Sequence, residues 1–74
     1  MKKITDKGLY LAIVDTSNNL IIKLIPMDDW YKLRNTINSY SLVFNVRGVW
    51  SENPVQLNNK VTWNEEDGRI TSCR

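Results

Sequence analysis

A chain of 74 residues is too short for two independently folding units and builds one modest core, with no room for a large internal ligand cavity. Its 42% apolar content and the spread of three Trp, three Tyr and one Phe exclude disorder, while a net charge of +2 is too small to mark a polyanion binder by itself. The sequence contains no histidine, which removes the commonest general base, the commonest metal ligand and every Ser–His or Cys–His nucleophile pair.

The basic start Met1-Lys2-Lys3 is followed by Asp6, Lys7 and Gly8, where a signal peptide needs an apolar run. The longest apolar run, 20–25, is interrupted by Lys23 and ended by Pro26, well short of the roughly 20 residues that cross a bilayer. The expectation is a cytoplasmic protein with no membrane association.

The first element is a strand over Gly8–Asp15, with Leu9, Leu11 and Ile13 alternating against Tyr10, Ala12 and Val14. Both of its faces are apolar, so it is central in a sheet or covered on its second face by a helix or a partner. Thr16-Ser17-Asn18-Asn19 is a cluster of turn formers, and a second strand, Leu20–Ile25, completes a hairpin. Its alternation predicts Ile22 and Leu24 on the buried face and Lys23 on the other.

Pro26 ends that strand, since it has no N–H to donate to a ladder. Asp28 then caps a helix and Asp29 favours the positive end of its dipole. Trp30, Leu33, Ile37 and Tyr40 form an apolar stripe at helical spacing, Lys32, Arg34, Asn35 and Asn38 face away, and the end is predicted near Ser39.

Ser41–Trp50 alternates as a long strand, with Leu42, Phe44, Val46 and Trp50 on one face and Ser41, Val43, Asn45, Arg47 and Val49 on the other. Gly48 lies in line with the buried face, which marks a bulge or the close approach of another group. Glu52-Asn53-Pro54 turns the chain into Val55–Leu57, Asn58-Asn59 turns it again, and Val61–Trp63 enters a last hairpin. Asp67-Gly68 suits a tight turn, after which Arg69–Ser72 pairs back. The order β-β-α-β-β-β predicts an α+β fold, a small antiparallel sheet with a single helix packed on one face, in one domain over 1–74.

The carboxylates offer little for catalysis. Asp28 and Asp29 sit where a helix needs a cap, and Glu65, Glu66 and Asp67 sit in a predicted solvated turn. With Gly68 as the sixth residue of a calcium loop, Trp63 would occupy the first ligand position, which it cannot serve. Gly8, Gly48 and Gly68 are too scattered for a phosphate-cradling loop. The sole cysteine, Cys73, forms neither an internal disulfide nor a thiolate zinc site, and reads as a frayed terminal thiol in a reducing compartment. No catalytic residue, metal or cofactor is therefore expected.

What remains is surface. The apolar residues exceed what one helix covers, and Trp and Arg are enriched at binding hot spots, which makes Arg47, Val49, Trp50 and Trp63 candidates for a contact patch. The competing reading places Trp50 and Trp63 in the core. Lys32 and Arg34 on the outer helix face, and Glu65, Glu66 and Asp67 in the last turn, are further candidates. The function expected is a non-enzymatic protein-binding module. The excess of Asn, Ile and Lys suggests a phage or mobile-element product that inhibits a host enzyme or defence complex by occupying its surface. The alternative is a small nucleic-acid-binding regulator in which Lys23, Lys32, Arg34 and Arg47 share a face. A homodimer stays open, because self-association supplements a small core.

Overall fold

A strand that is apolar on both sides needs cover on both sides, and β1 (Tyr10–Asp15) has it. The computed structural model, which describes residues 9–25 and 29–74, sets β1 between β2 (Leu20–Ile25) and β3 (Val46–Ser51) in an antiparallel three-stranded sheet. Helix α1 (Trp30–Tyr40) covers one face. There Leu9, Leu11, Ile13, Ile25 and Leu33 form a buried cluster flanked by Trp30, Ile37 and Trp50. Strands β4 (Val61–Trp63) and β5 (Ile70–Cys73) form a second, two-stranded sheet. It covers the opposite face, where Ala12, Val14, Ile21, Val49, Val55 and Val61 are buried together.

The order is β-β-α-β-β-β, an α+β fold with antiparallel sheets and a helix on one face, as the sequence predicts. The second sheet is the addition. It is joined to both edges of the first: Ile21 N–H donates to Asn59 O (3.0 Å) and Val61 N–H to Asn19 O (3.0 Å) on the β2 side, and Trp50 N–H donates to Gly68 O (3.0 Å) on the β3 side. The hairpin thereby encloses the face that α1 leaves open.

The first hairpin turns where its polar cluster predicts. Asp15 Oδ1 accepts from Ser17 N–H at 2.9 Å, Asn18 Oδ1 accepts from Leu20 N–H at 3.1 Å, and Asn19 takes φ 63°, a left-handed conformation that Asn tolerates. Along β2 the predicted faces are corrected by a bulge. Val14 pairs with Ile21 but Ile13 with Lys23, so Ile22 is an extra residue and the alternation slips by one. Ile22 then packs with the helix-side cluster, Lys23 stands opposite Ile13 on that same face, and Leu24 is left exposed on the other.

Helix α1 starts at Trp30 with Asp29 as its cap, the Asp29 carboxylate accepting from Lys32 N–H at 2.8 Å. It ends at Tyr40, one residue past the predicted limit. Gly48 explains how closely the helix sits: a Cβ there would lie 2.8 Å from Ile37 Cδ1 and 3.2 Å from Leu33 Cδ2. The close approach that the glycine predicts is made by the helix.

Four other expectations are corrected. The strand predicted from Ser41 begins only at Val46, because β1 ends opposite Val46 and Thr16 turns away, both its N–H (2.8 Å) and its hydroxyl (3.1 Å) donating to Asn45 O. Val55–Leu57 forms no strand, although Val55 is buried in the hairpin-side cluster. Cys73 is not frayed: it pairs with Val61 in β5, and beyond it Lys60 and Arg74 exchange both backbone hydrogen bonds at 3.0 and 2.8 Å. The last turn is wider than predicted, with Asn64 N–H donating to Arg69 O and Gly68 N–H to Asn64 O, and Gly68 takes the expected positive φ of 78°. Expectations placed on Met1–Gly8, Pro26, Met27 and Asp28 lie outside the described residues. Among the described residues no helix is long and apolar enough to cross a membrane.

Candidate interaction surface

Strand β3 and the last turn bring together several residues that the sequence singles out. The Arg47 guanidinium donates to Glu65 O at 2.8 Å, and Trp50 Nε1–H donates to Asp67 O at 2.8 Å. Arg69 lies over the Trp50 ring at 5.9 Å and reaches Glu52 at 3.6 Å. These contacts fasten the 64–68 turn to β3, so Arg47 Nη2 and Trp50 Nε1 are spent on the fold. Val49 cannot belong to a contact patch, because it points to the opposite face and is fully buried between the sheets. The carboxylates of Glu65, Glu66 and Asp67 are exposed at the turn, and Asp67 accepts from Arg69 N–H at 3.0 Å.

Beside this turn lies a concavity of about 500 Å³ lined by Thr16, Asn19, Arg47, Thr62, Trp63 and Glu65. Two donors in its wall, Arg47 Nε and Trp63 Nε1, are buried without a partner. Both are closed off from solvent, so a molecule entering the concavity would not reach them. The hydroxyls of Thr16 and Thr62 are committed to Asn45 O and Thr71 respectively.

The four bases expected to share a side are separated. Lys32 and Lys23 line one shallow groove with Tyr31 and Tyr40. Arg34 is two residues on, about 160° round the helix from Lys32, and Arg47 is held at the last turn.

The feature that alternation hides is the segment between α1 and β3. Ser41 N–H continues the helical pattern to Ile37 O (2.9 Å), and then both Val43 N–H (3.0 Å) and Phe44 N–H (2.8 Å) donate to Tyr40 O, folding the chain into a turn. Asn45 is fixed at the far end by Thr16. The loop is thus pinned on both sides while its side chains face water: Leu42 is 86% exposed, Val43 77% and Phe44 48%. Phe44 leans on Tyr40, with ring centroids 6.1 Å apart. Single exposed apolar residues are ordinary, whereas here three follow one another on a hydrogen-bonded loop. Its signal in the sequence is indirect: a β1 that stops at the Thr16–Asn19 turn leaves 41–45 without a strand to pair with.

Among the described residues no three His, Cys, Asp or Glu side chains gather as a metal site. The Asp15 carboxyl is held below the usual carboxylate range, but the cause is its turn, where the Ser17 hydroxyl donates to it at 2.6 Å and the Ser17 amide at 2.9 Å. Comparison with protein-family models, curated proteins and solved structures finds no match to this chain.

Proposed function

We propose that the chain is a non-catalytic protein-binding module whose principal contact is the Leu42–Val43–Phe44 loop. The observation that carries this reading is the exposure of these three large apolar residues in succession on a loop held by backbone hydrogen bonds at both ends. Each such side chain gains about 1.5–3 kcal/mol when fully removed from water, and a preorganised loop loses little conformational freedom on docking. The phage or mobile-element inhibitor expected from composition is one role such a module serves. It is the loop, rather than the Arg47–Trp50 strand end, that supplies its binding surface in this reading.

The experiment is affinity capture with the wild-type chain and with the Leu42→Asp/Val43→Asp variant in parallel. The reading expects a partner protein retained by the former and released by the latter, both chains unfolding at the same temperature. Equal capture by the two would contradict it. Nucleic-acid binding is the weaker alternative, because the bases it needs are divided between the groove and the last turn.

A further inference from the structure

A bulge, a helix and a loop converge on one stretch of surface. The extra residue at Ile22 turns Lys23 toward the helix side of the sheet, where it shares a groove of about 540 Å³ with Tyr31, Lys32, Ser39 and Tyr40. No carboxylate lines this groove among the described residues. Asp29, next to Lys32 in space, is committed to the helix cap through Oδ1. Neither lysine has an ion-pair partner among the described residues, where the pair formed is Arg69 with Glu52. Tyr40 is both a wall of the groove and the neighbour of Phe44 at 6.1 Å, so one side chain links the groove to the apolar loop.

We infer that this surface binds an acidic, amphipathic segment of a partner protein, with carboxylates facing Lys23 and Lys32 and an adjacent bulky apolar side chain packed on Leu42, Val43 and Phe44. The inference rests on the protein-binding reading above and adds the chemistry of the partner. Charge complementarity selects the sign: two ammonium groups in a groove lined by no carboxylate, and in no ion pair among the described residues, attract acids and repel bases. Number selects against a nucleic-acid backbone, whose affinity accumulates over many phosphate contacts, because Arg34 and Arg47 do not extend the pair. An extended chain fits along a groove lined by Tyr31, Ser39 and Tyr40.

The test is selection of a random peptide display library on the wild-type chain, followed by affinity measurement on Lys23→Glu/Lys32→Glu, Lys23→Gln/Lys32→Gln and Leu42→Asp/Val43→Asp variants whose thermal unfolding matches wild type. Peptides carrying Asp or Glu beside Leu, Phe or Trp are expected to be enriched. Their affinity is expected to fall about tenfold in the charge-reversed variant, less in the neutralised one, and to weaken with salt. Enriched peptides that are apolar without acidic bias, unaffected by the lysine changes but lost on changing Leu42 and Val43, overturn this inference and leave the protein-binding reading standing. Peptides indifferent to both pairs, or no enrichment at all, overturn both. Tighter binding to phosphatidylserine vesicles or to oligothymidylate than to any selected peptide also overturns the inference.

Discussion

The ring of Tyr40 lies 6.1 Å from that of Phe44, tilted by 43°, and this contact joins the last turn of the helix to the loop that follows it. Together with the two N–H groups that converge on Tyr40 O, it sets the position of a loop whose Leu42 and Val43 side chains stay exposed among the described residues.

Replacing Leu42 and Val43 by Asn should leave stability within about 0.5 kcal/mol of wild type, because neither side chain is buried. Urea unfolding followed by tryptophan fluorescence checks this. A loss of several kcal/mol would mean that the loop packs against the fold after all.

Gly48 is where the helix meets the sheet. Gly48→Ala should cost about 1–3 kcal/mol, because the new Cβ falls 2.8 Å from Ile37 Cδ1 and the helix-side core must give way. Adding Ile37→Val removes the clashing methyl and should recover part of the loss, so the two substitutions are expected to be non-additive in denaturant midpoints.

How far these features are legible in the sequence depends on whether a local pattern or a partner decides them. Leu20–Ile25 and the stripe of Trp30, Leu33 and Ile37 are bounded by their own turn formers and cap, and the structure keeps them. Gly48 predicts a close approach because it sits in line with buried residues, and Leu33 and Ile37 fill that place. Leu42 and Phe44 alternate with the same period as Val46, yet they have no strand opposite, and alternation does not encode where a neighbouring strand stops. The slip at Ile22 is invisible for the same reason: a bulge is a property of a pair of strands. Val49 is misplaced as a contact residue because the second sheet that buries it is assembled from short segments with weak patterns of their own.

The hairpin turn carries a pH signature. Asp15 has a carboxyl held below its usual range by the Ser17 hydroxyl and amide, so the folded state binds a proton there less readily than the unfolded chain. Its contribution to stability is present above the unfolded-state value and is lost as pH falls through the lowered folded value. Thermal unfolding of wild type against Asp15→Asn should show wild type more stable at neutral pH and the difference shrinking in acid. A constant difference across that range would show that this carboxylate is not the group responsible.

Gly68 should resist substitution for two reasons that add. Its φ of 78° is left-handed, and a Cβ would meet the carbonyl oxygen of Gly48 at 3.0 Å. The left-handed conformation alone costs an L-residue about 1–2 kcal/mol, and the backbone contact cannot relax by rotating a side chain. Gly68→Ala is therefore expected to destabilise the chain by more than that conformational cost, and to free the indole of Trp50 from Asp67 O, seen as a red shift in fluorescence.

On this proposal the exposed apolar loop is the contact surface. It is tested most directly by placing a photoreactive phenylalanine analogue at Val43 and, in a separate chain, at Glu66 in the last turn, then irradiating each in its native cells. A covalent adduct to a partner protein is expected from position 43 and none from position 66. Adducts from position 66 alone would contradict it and return the binding surface to the acidic turn.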